Sequence, residues 1–186
     1  MSNKTHEGIN GIEPEFPASY FEDEVREGFL VTSMMKRYWA CQLKVLSQVA
    51  DICERHGLKW YADYGTLMGA VRHRGYIPWD DDLDICMKRS DWLSFFEYAK
   101  EELPKEYVIM TIEAQPEYRE LTGRIVNSHA IDYGKEHLKE FYGCPYTVGV
   151  DIFALDLTQF SHSSPLWQID RRRSQGRPPR ARRSSI

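Results

Sequence analysis

The sequence lacks both kinds of segment that would take a chain into or across a membrane. None of its apolar runs approaches the roughly 18 residues that a bilayer crossing needs. Residues 1–16, MSNKTHEGINGIEPEF, are polar and have no apolar centre of the kind found in secretory signals. We therefore predict a cytoplasmic chain without a transmembrane segment.

Cysteine is scarce and irregularly spaced. The four residues Cys41, Cys53, Cys86 and Cys144 form no C-x-x-C pair, so their spacing indicates neither a zinc site nor a redox dithiol. We expect reduced thiols in a reducing compartment, filling the core as small apolar side chains.

Outside the C-terminal segment, acidic residues clearly outnumber basic ones. Residues 157–186 carry seven Arg, no Lys and one acid, a charge of +6, whereas residues 1–156 hold 17 bases and 27 acids, a charge of −10. We expect no specific nucleic-acid partner, because affinity for the phosphate backbone comes from basic groups. Two interpretations of residues 157–186 stay open: an arm that binds anionic surfaces or nucleic acid and, favoured, a disordered or aberrant terminus.

With 42% apolar and 13% aromatic residues, the chain has the composition of a globular protein. Apolar residues at helical spacing predict a helix over 34–56, which Gly57 ends. Other patterns predict strands at 58–64, 83–87, 106–113, 121–127 and 147–155, and helices at 67–73 and 91–102. Because the elements do not alternate regularly, we predict an α+β sheet with helices on one or two faces.

The strongest local feature is WDDDLDI at 79–85, where four carboxylates fall within five residues. Residues i and i+2 of a strand face the same way, so we expect Asp82 and Asp84 to share a face, joined by Asp80 where the strand extends back. Like charges about 5 Å apart repel by roughly 3 kcal/mol at an effective dielectric of 20. Full exposure to solvent, or a bound hard cation such as Mg²⁺ or Mn²⁺, would offset this repulsion between the carboxylates.

Three interpretations of this acidic segment compete. A solvated turn is disfavoured because apolar residues alternate with the acids. A calcium loop would need Gly at its sixth position and Glu at its twelfth, where the chain has Ile85 and Asp91. The third interpretation is a D-x-D metal centre for a nucleotide diphosphate, as in glycosyltransferases and nucleotidyltransferases.

Residues upstream of the acids favour a phosphate site. Gly65 and Thr66, between a predicted strand and a predicted helix, offer backbone N–H groups and a hydroxyl. Arg72 and His73 add cationic groups near the carboxylates, and arginine binds phosphate through its planar fork. Each of these residues taken alone is equally consistent with a surface ion pair.

Residues 61–92, YADYGTLMGAVRHRGYIPWDDDLDICMKRSDW, closely resemble the signature of the LicD family, bacterial phosphocholine transferases related to the fukutin group. Residues 149–156, GVDIFALD, also resemble the family. The resemblance covers about residues 20–156. We therefore divide the chain into an irregular lead-in at 1–19, a LicD-type domain at 20–156 and the basic tail at 157–186.

The resemblance implies a nucleotidyltransferase-like fold of the DNA polymerase beta type, a mixed sheet with flanking helices. It also implies transfer of a substituted phosphate, foremost phosphocholine from CDP-choline, to a hydroxyl of a cell-surface glycan such as a lipopolysaccharide or teichoic acid precursor. The partners are then a CDP-activated alcohol donor and a glycan or glycolipid acceptor, with Mg²⁺ or Mn²⁺ as cofactor. A cytoplasmic enzyme, free or peripheral to the inner face of the membrane, suits this chemistry.

The same match implies roles for the carboxylates. Asp82 and Asp84 become metal ligands, with Asp80 as a third. Asp151 supplies a further carboxylate, and either Asp80 or Asp151 accepts the proton of the attacking hydroxyl.

The match also implies how the donor phosphate is held. Gly65 and Thr66 cradle it, while Arg72 and His73 contact it or order the acidic loop. Arg124 does the same from its own strand.

Two alternatives remain open. A D-x-D glycosyltransferase that uses a nucleotide sugar predicts a β-α-β nucleotide-binding unit near the N-terminus, which the pattern does not show. A truncated, non-catalytic fragment would keep the metal site but lack the acceptor-binding helices that family members carry beyond this segment.

Overall fold

The computed structural model describes residues 14–156, so the predictions for residues 157–186 and for residues 1–13 of the lead-in lie outside the described residues. After a 3₁₀ helix at Ala18–Phe21, the elements are β1 (Glu24–Arg26), β2 (Phe29–Val31), α1 (Ser33–Arg55), β3 (Trp60–Ala62), α2 (Tyr64–Arg72), β4 (Asp84–Lys88), α3 (Arg89–Glu102), β5 (Val108–Met110), β6 (Gly123–Val126), α4 (Lys135–Glu140) and β7 (Gly149–Leu155). This mixture of strands and helices confirms the predicted α+β class.

A five-stranded mixed sheet organises these residues. Its strand order is β3-β4-β7-β6-β5, with β4 and β7 parallel and the other neighbours antiparallel. Strands β1 and β2 pair separately as a hairpin. The two central strands, β4 and β7, therefore lie next to each other although about 60 residues of chain separate them.

Helix α1 confirms the helix predicted at 34–56. It begins after Thr32, whose Oγ1 accepts a hydrogen bond from the backbone N–H of Met35 at 3.3 Å, as an N-cap does. It ends before Gly57, whose φ of +65° suits a residue without a side chain. Its apolar face enters the core, which α3 and the sheet complete.

Helix α2 differs from its prediction. It spans Tyr64–Arg72 instead of 67–73, because Asp63 leaves strand β3 and caps the helix, with Oδ1 accepting from the Tyr64 N–H at 2.9 Å. Gly65 and Thr66 therefore lie inside the first helical turn and not between a strand and a helix. The predicted strand at 58–64 shortens to Trp60–Ala62 for the same reason.

Two elements had no sequence prediction. The hairpin of β1 and β2 has strands of only three residues, too short for a periodic pattern, and turns at Glu27 and Gly28, which have φ of +51° and +79°. Helix α4 is a single six-residue segment without buried residues, so it has no apolar stripe to detect.

The core contains all four cysteines as free, buried thiols, as predicted. Apolar side chains of α1 and α3 pack with those of β4 and β7, including Val45, Val49, Ile85, Phe95 and Ile152. Between residues 14 and 156, no helix combines the length and apolarity that a bilayer crossing requires.

Candidate functional site

Three polar side chains form a row across the central strands of the sheet. Asp84, the first residue of β4, is paired with Asp151 of β7, and Asp151 is paired with Arg124 of β6. Residues paired in this way lie on the same face of a sheet. Nε of Arg124 lies 3.5 Å from Oδ1 of Asp151. The fold thus brings together two carboxylates and one guanidinium from distant parts of the sequence.

The strand prediction was partly wrong at the acidic segment. Strand β4 begins at Asp84, one residue later than predicted, so Asp82 lies in the loop before the strand. Leu83 and Ile85 are buried, as predicted. Asp84, which lies between them in the sequence, is also buried, with only 7% of its surface exposed. Such burial is unusual for a carboxylate without a cationic partner.

The pKa of the Asp84 carboxyl is raised to about 7. Burial is the main cause, followed by the negative charges of Asp82, Asp151, Asp80 and Asp63. A carboxyl that is buried among other carboxylates loses stability when it ionises. This electrostatic environment would accommodate a cation readily.

Asp80 and Asp82 form a second pair of carboxylates, in the loop of residues 73–83. Burial raises the pKa of the Asp80 carboxyl, and the charge and hydrogen bond of Asp82 raise it further. Helix α1 holds the backbone beneath them. Nε1–H of Trp39 donates to the carbonyl of Asp80, and Nε2–H of Gln42 donates to the carbonyl of Asp81, each at 2.9 Å.

The first turn of α2 packs directly against these acids. Oγ1 of Thr66 accepts a hydrogen bond from the backbone N–H of Asp84 at 2.8 Å. A Cβ atom on Gly65 would lie 2.4 Å from Oδ2 of Asp80 and 3.8 Å from Oδ1 of Asp82. A side chain at position 65 would therefore displace the Asp80 carboxylate from its present position. The predicted phosphate role of both residues stays a prediction.

Asp63 and Tyr64 belong to the site but were missed in the sequence. The N–H of Asp63 donates to the carbonyl of Asp84 at 3.1 Å, and its carboxylate is among the charges that raise the Asp84 pKa. Tyr64 has φ of +41°, which costs energy in an aromatic residue and is common near functional sites. The N-cap preference for Asp was the available signal.

Asp151 is half-buried, and its carboxyl also has a raised pKa. Burial is the main cause, the charge of Arg124 lowers the pKa, and the charges of Asp82 and Glu120 raise it. Nε of Arg124 is buried and, within residues 14–156, makes no hydrogen bond, although it lies 3.5 Å from the Asp151 carboxylate.

The other predicted cationic residues lie towards the hairpin. Nδ1 of His73 is 2.8 Å from Oε1 of Glu27, and the His73 ring meets the Trp79 ring edge-on at 6.1 Å. Arg72 is exposed in the last turn of α2. The contacts of His73 agree with the alternative in which it orders the acidic loop, and its phosphate contact stays a prediction.

A cavity of about 370 Å³ opens beside the acidic loop. It lies between α1, α2 and the loop of residues 73–83. Its lining combines Asp80, Asp82, Gly65, Thr66, Arg74 and Gly75 with the apolar or aromatic residues Leu43, Leu46, Ala70, Tyr76, Ile77 and Leu83.

The carboxylates around Asp84 are the candidate ligands for a metal ion. Within residues 14–156, no three or more His, Cys, Asp or Glu side chains form a group that could hold a metal ion. Mg²⁺ commonly takes only one or two protein carboxylates and completes its shell with substrate phosphates and water. The oxygen-only side chains around the buried Asp84 fit this shared kind of site, in which a bound phosphate and water would supply the remaining ligands.

Comparisons with known proteins agree with the resemblance seen in the sequence. The lipopolysaccharide cholinephosphotransferase LicD of Haemophilus influenzae is 38% identical over 71 residues, which are 38% of this chain and 27% of that protein. An uncharacterized protein of Rickettsia typhi is 36% identical over 86 residues, 43% of this chain and 28% of its own length. One from Rickettsia prowazekii is 34% identical over 82 residues, 41% of this chain and 31% of its own length.

These alignments span less than a third of each curated relative. The model of the family described as LicD/FKTN/FKRP, nucleotidyltransferase domain, matches residues 57–174. That range is more than half of the chain and includes the carboxylates Asp80, Asp82, Asp84 and Asp151 together with Arg124. The chain belongs to the LicD/FKTN/FKRP nucleotidyltransferase-domain family.

Proposed function

We propose that this protein is a metal-dependent transferase that moves a substituted phosphate from a CDP-activated alcohol to a hydroxyl of a cell-surface glycan. Phosphocholine from CDP-choline is the first donor group to consider, and a lipopolysaccharide or teichoic acid precursor is the matching acceptor. The observation that carries the proposal is the buried Asp84, which faces other carboxylates and has a raised pKa. Strongly perturbed carboxylates in a cleft are typical of catalytic sites.

The sheet supports a nucleotidyltransferase-like fold of the DNA polymerase beta type as part of this proposal. Two carboxylates, Asp84 and Asp151, come from adjacent central strands, and a helix begins beside them at Tyr64. In this arrangement Gly65 and Thr66 would present the start of α2 to the donor phosphate. Arg124 would approach from the neighbouring strand.

The reaction that we propose is a direct displacement. The acceptor oxygen attacks the donor phosphorus next to the alcohol substituent, a new P–O bond forms, and the P–O bond to CMP breaks. The proton of the acceptor hydroxyl passes to Asp151 or Asp80, whose raised pKa values suit proton acceptance better than an ordinary carboxylate would. No covalent enzyme intermediate is needed.

Asp82 and Asp84, with Asp80 as a third candidate, would hold Mg²⁺ or Mn²⁺. When bound, the ion supplies positive charge to the phosphate oxygens and the leaving group. Arg124 would add a second positive charge from its own strand.

A nucleotide-sugar glycosyltransferase is the competing proposal. It predicts successive parallel strands joined by a helix, yet β4 and β7 are the single parallel pair among the sheet strands of residues 14–156, and they are not successive. The sheet therefore favours the phosphotransferase. A cytoplasmic position, free or peripheral to the inner face of the membrane, completes the proposal.

The test is an assay of nucleotide release. The protein is incubated with Mg²⁺ and CDP-choline, with and without a glycan acceptor, and parallel reactions contain a UDP-sugar or a GDP-sugar. We expect CMP from CDP-choline and no UDP or GDP. Turnover of a nucleotide sugar alone would favour the glycosyltransferase. CMP release without transfer would mean that the donor half of the site works without an acceptor site, and no turnover of any CDP donor would overturn the proposal.

A further inference from the structure

We propose that the exposed ring of Tyr64 is the surface on which the base of the donor nucleotide stacks, so that this residue positions the donor beside the carboxylates. The inference rests on the proposed function and extends it to the nucleoside, a part of the donor for which no residue has been assigned above. Tyr64 is then a positioning residue that contacts the ligand away from the bond that breaks.

The sheet carries a second row of side chains next to the row that holds Asp84 and Asp151. In this second row, Tyr61 of β3 is paired with Cys86 of β4, and Cys86 is paired with Phe153 of β7. Cys86 and Phe153 each lie two residues after a carboxylate of the first row, so both rows lie on the same face of the sheet. Two residues of a strand span about 7 Å, a distance that the ribose of a nucleotide bridges between its phosphate and its base.

Tyr64 packs on this second row. The centroid of its ring lies 5.0 Å from that of Phe153, and the two ring planes are inclined by 58°. Phe153 covers only part of the ring, because Tyr64 remains 59% exposed. The ring is therefore supported from the side of the sheet and still offers surface to a flat ligand.

The backbone of Tyr64 is held in a costly conformation. Its φ is +41°, which glycine adopts freely and an aromatic residue adopts at a cost. Burial of the ring does not offset this cost, since most of the side chain is exposed. The folded state alone gives little reason for a tyrosine at this position, whereas contact of the ring with a ligand does.

Tyr64 lies on the side of the site that is proposed to hold the donor. It directly precedes Gly65 and Thr66 in the sequence, and these are the residues proposed to meet the donor phosphate. Cytosine is the aromatic part of a CDP-activated donor, and a base stacks on an aromatic ring through its flat face. A phosphate held at the first row therefore brings the base to the second row, where the Tyr64 ring lies.

The variant Tyr64→Gly tests the inference, because it removes the ring and suits the positive φ. Tyr64→Asn is the second ring-free variant, since asparagine also tolerates this conformation, and it serves should Tyr64→Gly fail to fold. Tyr64→Phe keeps the ring. Tyr133→Gly is the matched control, because Tyr133 is another exposed tyrosine, 70% exposed in the segment between β6 and α4. Cooperative thermal unfolding shows that each variant is folded.

Calorimetric titrations in Mg²⁺ compare CMP with ribose 5-phosphate, which has the same sugar and phosphate but no base. We expect the unmodified protein to bind CMP at least about tenfold more tightly than ribose 5-phosphate, as stacking of one base allows. Tyr64→Gly and Tyr64→Asn should weaken CMP about tenfold and leave ribose 5-phosphate within about twofold. Tyr64→Phe and Tyr133→Gly should leave both ligands within about threefold.

Three results would overturn the inference. The first is unchanged CMP affinity in the ring-free variants. The second is an equal loss of CMP and ribose 5-phosphate affinity, which would place the sugar or the phosphate on the ring. The third is an equal loss of CMP affinity in Tyr133→Gly. These outcomes concern binding of CMP, so they differ from a failure of the proposed function, in which CMP binds but is not released from CDP-choline. Absence of CMP binding by the unmodified protein would overturn both.

Discussion

The site has a half that is built on strands and a half that is built on a loop. Asp84, Asp151 and Arg124 occupy one row of the sheet, fixed by the pairing of β4, β7 and β6. Asp80 and Asp82 lie in the loop of residues 73–83, whose backbone is held by side chains of α1. The positions of the side chains in the strand half depend on the register between strands. Those in the loop half depend on a few hydrogen bonds and on the absence of a side chain at Gly65. Substitutions can therefore disturb either half separately.

The largest effect is expected when the residue that accepts the proton of the attacking hydroxyl is removed. The variant that loses activity also shows whether this residue lies in the strand half or in the loop half. Asp151→Asn keeps the shape of the strand residue but cannot take a proton at neutral pH. If the strand half holds the base, kcat should fall about 10²–10⁴-fold with little change in KM.

Asp80→Asn is the matching change in the loop half, and both variants are followed by the rate of CMP release from CDP-choline. A large loss of kcat in Asp80→Asn alone would move the base to the loop. Near-normal rates in both variants would contradict the assignment of either residue as the base.

The next effect concerns the close approach between the loop and α2. Gly65→Ala places a methyl group where Asp80 now lies, so the carboxylate must move away from the helix. We expect activity to fall about 10–100-fold, since displacements of about 1 Å at a reacting centre have effects of this size. Thermal unfolding should show little loss of stability, because an alanine in a helix is favourable.

Val71→Ala is the control for that change, as it alters an exposed residue of the same helix. It should keep normal CMP release. Full activity in Gly65→Ala would mean that the position of Asp80 is not critical.

A smaller effect should follow from loosening the loop at its backbone. Gln42→Leu removes the donor to the Asp81 carbonyl and also removes a buried oxygen that lacks a partner, so the fold should stay stable. We expect KM for CDP-choline to rise about three- to tenfold, the effect of about one hydrogen bond. Gln48→Leu makes the same change elsewhere on α1 and should leave KM unchanged, whereas equal values for both variants would contradict a role for Gln42 in positioning the loop.

The smallest expected effect is on folding stability. It concerns the pH dependence that Asp84, in the strand half of the site, gives to the melting temperature. The Asp84 carboxyl has a pKa of about 7 in the folded chain and about 3.9 in an unfolded one. Between these values the unfolded chain releases its proton first, so stability falls as pH rises. Asp84→Asn avoids this loss, and we expect its Tm to exceed that of the unmodified protein by about 3–6 °C at pH 8 and to match it near pH 4.

Mg²⁺ sharpens this prediction. It should raise the Tm of the unmodified protein at pH 8 and have little effect on Asp84→Asn, because a ligand stabilises the fold only when it binds the folded state. A Tm difference that is the same at both pH values would contradict the burial of an ionisable carboxyl at this position.

The long helix α1 and the strand β4 were largely predictable from local pattern. Periodic apolar residues indicated α1, and the apolar residues Leu83 and Ile85 indicated β4. The pairing of Asp151 with both Asp84 and Arg124 could not be predicted in this way. Register between strands depends on contacts between distant parts of the chain, and no local pattern contains that information.

The loop half was predicted less well for a different reason. We expected Asp82 to extend the pleat of β4, but the backbone leaves the strand before Asp84 and is held by Trp39 and Gln42 instead. These donors lie on a helix about 40 residues earlier in the sequence. The resemblance to a known family identified the acids, whereas their relative positions needed the tertiary structure.

The most direct test of the account is the rate of CMP release from CDP-choline by Asp84→Asn and Asp81→Asn. Both changes remove one acidic charge from the same segment, but Asp84 is buried in the row of the sheet and Asp81 is exposed. We predict that Asp84→Asn loses at least about 10³-fold in kcat/KM, as expected for a residue that acts directly on the transition state, while Asp81→Asn stays within about threefold. Equal activity of the two variants would contradict the central role of Asp84.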